Sequence, residues 1–225
     1  MCGRFTLRAS ANNLARAFQI TAMPNVERRF NIAPPQMVLS LHRTPVGREI
    51  RSLEWGLIPS WMKNTLMTGR LINARSETIL EKPAFREAFK RRRCLVLADG
   101  FYEWQRIGRR KRPYFFSMRD NRPFAFAGLW ERWKTESGKV IESCAILTTS
   151  ANEIISPVHE RMPVIIHPNN YEIWLENSMS RHLLLMDLLK PYLGGDIVTH
   201  PVSLLINSPT HEGAALIEPL QVGLT

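Results

Sequence analysis

Cys94-Leu95-Val96-Leu97-Ala98-Asp99-Gly100-Phe101-Tyr102-Glu103-Trp104 is the stretch on which the reading of the fold turns. Its first five residues are an unbroken apolar run of strand length and read as a buried strand. Asp99-Gly100 signals a turn or bulge, after which residues 101–104 resume an extended run. Further runs at 114–118, 124–130 and 140–148 alternate with polar turns and predict an antiparallel meander. Upstream, 36–41 and 50–55 predict a hairpin turned through Pro45 and Gly47.

Helical spacing is confined to short pieces. Leu14, Ala17 and Phe18 predict a helix over 10–19 with Ser10 as N-cap, and Pro83 opens another with Phe85, Ala88 and Phe89 inward. Ser150 and Glu153 form an S-x-x-E box for a one-turn helix stopped by Pro157. Residues 171–175 and 182–189 read as short helices and 164–167 as a strand. The proline pair makes 29–35 an extended connector, and the tail past His200 and Asn207 reads as extended. Many short strands and few helices predict an α+β fold: curved, mainly antiparallel β-sheets forming a barrel-like core with peripheral helices. One domain over 1–225 is expected from the length.

Composition narrows the class. The chain is 44% hydrophobic and has no apolar run of membrane-span length or signal-peptide pattern, so a cytoplasmic protein is expected, on the nucleoid if the source is bacterial. Cys2, Cys94 and Cys144 are too scattered for a disulfide framework or a zinc site. His159-Glu160 lacks the second histidine of a zinc-protease helix, because Pro163 stands in its place. No metal and no cofactor are expected. The net charge is +10, and residues 81–120 hold twelve Lys/Arg against five Asp/Glu. The densest clusters, residues 90–93 and the set Arg106, Arg109, Arg110, Lys111 and Arg112, are the footprint expected for a polyanion partner or else a solvated face.

The N-terminus, Met1-Cys2-Gly3-Arg4-Phe5, carries the sharpest chemistry. Removal of Met1, usual before a small residue, would leave Cys2 with an α-amine and a thiol on adjacent carbons. Both groups titrate near neutral pH in a free chain, and both attack aldehydes. The amine would form a Schiff base and the thiol would close a thiazolidine. On an extended segment Asn73, Arg75 and Glu77 share one side, which suits a polar site or a solvated edge. Glu103 lies among aromatics, where burial disfavours its charge and suits it to proton transfer, the alternative being a salt bridge to an arginine. His159 sits in a proline-bounded loop beside Arg161. Trp55 and Trp61 flank a Gly/Pro break, either as core plugs or as faces for unstacked bases.

Together, Cys2-Gly3-Arg4-Phe5, Trp55-Gly56-Leu57-Ile58-Pro59, Asn73-Ala74-Arg75, Asp99-Gly100-Phe101-Tyr102-Glu103-Trp104 and His159-Glu160-Arg161-Met162-Pro163 give the chain its family resemblance. It resembles the SOS-response-associated peptidase (SRAP) family of abasic-site-processing proteins. The resemblance implies single-stranded DNA containing abasic sites as the partner, trapped as a thiazolidine DNA–protein crosslink by the mature Cys2. Lyase and self-processing peptidase activities are also implied. By position, Asn73 orients the terminus, Glu103 moves protons, and His159 stabilises or protonates the sugar oxygen. Arg4 and Arg75 hold flanking phosphates, with Trp55, Trp104 and Arg161 as further DNA contacts. A monomer is expected. The rival readings are an N-terminal-cysteine hydrolase using Cys2 with His159, and a noncatalytic nucleic-acid-binding module.

Overall fold

The structure is a computed structural model that describes residues 2–21, 23–62, 70–176 and 182–220. The apolar run becomes strand β6 (Arg93–Ala98), buried along its whole length, in a closed ring. The chain-order labels are β1 (Phe5–Leu7), β2 (Arg29–Ile32), β3 (Met37–Thr44), β4 (Gly47–Trp55), β5 (Asn73–Arg75), β7 (Gly100–Ile107) and β8 (Arg110–Met118). Then come β9 (Phe124–Lys134), β10 (Val140–Ser150), β11 (Arg161–Pro163), β12 (Ile165–Ile166) and β13 (Ile197–Pro201). The ring runs β4-β3-β6-β9-β10 and closes because β10 pairs with both β9 and β4. Four of its pairings are antiparallel and β10–β4 is parallel, so the core is a small, mainly antiparallel barrel filled by side chains. The five-stranded sheet β13-β8-β7-β1-β2 packs beside it.

Asp99-Gly100 is where the chain leaves the barrel for this second sheet. A Cβ on Gly100 would lie 2.3 Å from Phe115 and 2.8 Å from Thr6 Oγ1, so only glycine fits. The Asp99 carboxylate accepts from Thr6 Oγ1 at 2.6 Å, Ala9 N at 2.7 Å, Arg8 Nε at 3.0 Å and the Arg8 backbone N–H. It thereby fastens the N-terminal strand to the corner. Beyond the corner the side chains alternate. Phe101 faces the main core, stacked on Phe116 at 5.0 Å, whereas Tyr102 and Trp104 join a second cluster with Phe115, Val202, Ile206 and Leu216.

Four helices lie outside the sheets: α1 (Ala11–Phe18), α2 (Arg86–Arg91), α3 (Tyr171–Leu175) and α4 (His182–Asp187). Ser10 caps α1 by accepting from Asn13 N at 3.3 Å, and Leu14 and Phe18 are its buried face. The predicted helix over 182–189 is shorter, and part of the segment before it lies outside the described residues.

Several local expectations are corrected. The meander holds only for β9–β10: β8 pairs with β7 and β13, and the turn through Asn121 (φ 55°) carries the chain to the other sheet. The 29–35 connector contributes β2, paired to β1. Asn152, rather than Ser150, accepts from Ile155 N at 3.0 Å, and 151–158 forms successive turns. Asn207 ends a 3-10 turn, Leu204–Asn207. Cluster 90–93 is not a uniform cationic face. Arg93 is buried and donates to the carbonyls of Trp174, Phe89 and Glu176, while Arg92 pairs with Glu131 at 2.7 Å and Lys90 with Glu87 at 3.1 Å.

Trp55 also has a different role from base stacking. It is fully buried, its ring lies 5.1 Å from Phe5, and Nε1 donates to Ile72 O at 2.9 Å, so no face is open to a nucleotide. Trp55→Ala is expected to lower unfolding free energy by about 3–5 kcal/mol in urea denaturation, as for other large core truncations. A loss below about 1 kcal/mol would mean that the ring is not part of the packed interior.

Candidate functional site

Cys2 lies just upstream of β1 and is fully buried. Its carbonyl accepts from Asn73 Nδ2 at 2.9 Å and its Sγ faces Arg4 O at 3.8 Å. Asn73 opens β5, which pairs in parallel with β10, so the barrel itself supports the amide beneath the terminus. The Asn73 Oδ1 is buried and has no hydrogen-bond partner among the described residues. Arg75, two residues on, is exposed and makes no side-chain hydrogen bond or ion pair among the described residues. Glu77 leaves the strand in a 3-10 turn.

Glu103 enters from β7 and is 2% exposed. Burial pushes its carboxyl up to about 7, so near neutral pH it can both accept and give a proton. Burial, followed by the like charge of Glu103, pushes the Cys2 thiol well above its ordinary value. This corrects the expectation of a thiol part-ionised at neutral pH: in the folded chain it is held as S–H. His159 stands in the turn before β11, with Nε2 3.9 Å from Glu103 Oε2. Arg161 N donates to its Nδ1 at 3.0 Å, closer than the Arg161 carbonyl at 3.2 Å, which leaves the ring proton on Nε2, facing Glu103. Burial lowers the imidazole pKa, so the ring is neutral at pH 7. Gln105 Nε2 donates to Pro157 O at 2.9 Å and ties this loop to β7.

A cavity of about 780 Å³ opens over the pair, lined by Glu103, His159, Trp104, Asn207 and the cations Arg106 and Lys111 among others. Trp104 lines it from β7, and shares one anchor with Arg4, which stands just before β1. Arg4 Nη2 donates to Asn207 O at 3.3 Å, and Trp104 Nε1 donates to Asn207 Oδ1 at 2.8 Å. Asn207 and Gln105 are the residues that sequence reasoning missed, and nothing in their local sequence marks them, because their partners lie far away in the chain. Arg161 is committed elsewhere: it forks onto Glu77 and donates to Thr148 O at 2.8 Å, leaving its side chain 13% exposed. It braces the His159 loop instead of presenting a cation to DNA. Among the described residues no group of three or more His, Cys, Asp or Glu could hold a metal ion, and no helix is long and apolar enough to cross a membrane.

The model of the family described as SOS response associated peptidase (SRAP) matches residues 1–209. The chain belongs to the SRAP family. It is 39% identical over 222 residues to the abasic site processing protein YoqW of Bacillus subtilis, covering 97% of this chain and 99% of the relative. It is 28% identical to the abasic site processing protein YedK of Escherichia coli, covering 98% and 100%. A crystal structure of a Bacteroides thetaiotaomicron protein superposes with a TM-score of 0.83 at 26% identity, covering 97% of this chain and 99% of that one. In this SRAP chain the matched segment spans every residue of the site, from Cys2 to Asn207.

Proposed function

We propose that this protein captures abasic sites in single-stranded DNA, with Cys2, exposed by loss of Met1, as the crosslinking residue. The observation that carries the reading is the enclosed terminus. Its carbonyl is held by Asn73, its thiol is buried, and the Glu103–His159 pair looks into a cation-lined cavity. Relatives that are named abasic site processing proteins support the same class of substrate.

The chemistry follows from which groups can carry protons. An abasic sugar is mostly a closed hemiacetal. Its C1′–O4′ bond opens when Glu103 takes the O1′ proton and passes it to O4′, which the neutral His159 holds through an Nε2–H hydrogen bond. The Cys2 amine then adds to the C1′ aldehyde and water leaves, giving an imine. The thiol adds to that carbon, its proton passing by way of Glu103 to the ring nitrogen, and a five-membered thiazolidine closes. Because the thiol starts protonated, amine attack comes first, and ring closure depends on the nearby base. If the imine instead loses its 3′ phosphate by β-elimination, the same groups act as a lyase. Self-processing would be cleavage of the Met1–Cys2 bond, which frees the Cys2 amine. A thiolate–imidazolium hydrolase fits less well, because the thiol is held as S–H and the imidazole proton faces Glu103.

The test mixes mature protein with an abasic oligonucleotide and, in parallel, with the same strand reduced by borohydride, which has no aldehyde. A species that survives denaturing electrophoresis is expected with the first strand alone; equal adduct with both would overturn the reading. Affinity for an undamaged strand should fall with salt, log Kd shifting by about 0.7 per phosphate contact for each tenfold rise, and a flat response would remove the cavity cations from the interface. Asn207→Ala frees the Trp104 indole while keeping the backbone carbonyl that Arg4 uses, and should weaken binding of a nonreactive tetrahydrofuran strand by about fivefold, the worth of roughly one hydrogen bond. Fluorescence anisotropy would measure this, and an unchanged Kd would make the anchor irrelevant to DNA.

A further inference from the structure

The two basic clusters differ in a way that composition does not reveal. Cluster 90–93 is largely neutralised or buried, whereas the side chains of Arg106, Arg109, Arg110, Lys111 and Arg112 are exposed and make no hydrogen bond or ion pair among the described residues. Five like charges on one hairpin repel each other, and no acidic partner within the described fold offsets them. Beneath this β7–β8 hairpin lies a second cavity of about 310 Å³. Arg110, Lys111 and Arg112 line it from the hairpin, and Leu204 and Leu220 line it from the C-terminal segment, which is pinned by Leu220 N to Pro201 O at 2.9 Å. Three of its apolar residues are open, with Ile107 47%, Leu204 62% and Leu220 44% exposed, while Val202 and Pro113 are buried. Lys111 lines both this groove and the larger cavity at Glu103 and His159, so the two adjoin at that residue.

We propose that this groove is a subsite for the nucleotides on one flank of the lesion, which leave the active cavity over Lys111 and run along the hairpin. Phosphates would meet Arg110 and Arg112, and sugar and base faces would lie on Ile107, Leu204 and Leu220. A cationic row beside apolar surface matches the two chemistries of a single strand. Its position next to the larger cavity, across Lys111, favours this occupant over an acidic, apolar peptide. The inference rests on the abasic-site reading and adds that the flanks are unequal.

The experiment measures Kd by anisotropy for tetrahydrofuran-containing strands. A core strand carries two nucleotides on each side of the lesion, and two further strands add five nucleotides to the 5′ or the 3′ side only. One extension is expected to tighten binding by roughly tenfold and to steepen the salt slope by about 0.7 per added phosphate contact, the other by twofold or less. In Arg110→Glu/Arg112→Glu, and separately in Leu204→Glu, that gain, taken relative to the core strand in the same protein, should fall to about twofold. Equal gains from both extensions, or a gain that persists in the charge-reversed protein, would overturn the subsite. So would capture of an acidic leucine-rich peptide by a groove indifferent to extension. Failure of the reactive core strand to crosslink would count against the parent reading alone, because the one-sided gain is read on strands that cannot react.

Discussion

Cys2→Ala is expected to abolish the adduct that survives denaturation, a fall of at least about 100-fold. Alanine is small enough for Met1 still to be removed, so the variant keeps a terminal amine and loses only Sγ. It can still form the imine, but that bond is open to water, and the intramolecular capture that makes it durable is gone. Such ring closures draw on effective molarities of up to about 10⁵–10⁸ M, which no free thiol supplies. The diverted imine should give transient adducts, trappable with borohydride, and more strand cleavage by β-elimination. Denaturing gels of labelled abasic DNA, with and without borohydride, measure both outcomes. Equal borohydride-independent adduct from Cys2→Ala would refute the role of the thiol.

Glu103→Gln is expected to slow adduct formation by about 10²–10³-fold, the usual worth of a positioned acid–base group. Affinity for a tetrahydrofuran strand should change little, and a large loss would make Glu103 structural. The wild-type rate should fall with acidity below about 7, where the carboxylate becomes protonated, and the variant should lose that limb. Stability should move the opposite way. Burial raises the folded-state pKa from 4.5 to about 7, so the folded chain holds this proton more tightly than the unfolded one. The resulting stability is complete below the unfolded value and is lost as pH rises through about 7, a change on the order of 3 kcal/mol. Glutamine, always neutral, escapes that loss. Thermal melts should therefore show Glu103→Gln gaining on the wild type from pH 4.5 to 8; parallel curves would mean that the carboxyl is solvated.

How far the sequence carried this picture depends on the range of the interactions involved. The buried strand, the Asp99-Gly100 corner, the α1 cap and the side alternation of Phe101 and Glu103 are set within a few residues, and local pattern reaches them. The sheet to which β8 belongs is set by pairing with β13, about eighty residues on, and no local signal distinguishes that from a hairpin with β9. The site divided the same way. Cys2, Asn73, Glu103 and His159 announce themselves by chemistry, and the structure gathers them around one terminus. Burial is what sequence could not weigh. It turned Trp55 into a core plug, placed Arg93 under α3, gave Arg161 to Glu77, and kept the Cys2 thiol protonated. Asn207 became visible only once the tail was seen to cross behind Arg4 and Trp104.

The account stands or falls on the exposed 1,2-aminothiol, and intact-mass spectrometry of the purified protein, alone and after incubation with an abasic oligonucleotide, tests it most directly. The expected spectrum shows the chain without Met1 and then a species equal to protein plus oligonucleotide less one water, stable without reductant. A chain that keeps Met1 and gains no mass from the abasic strand would contradict it.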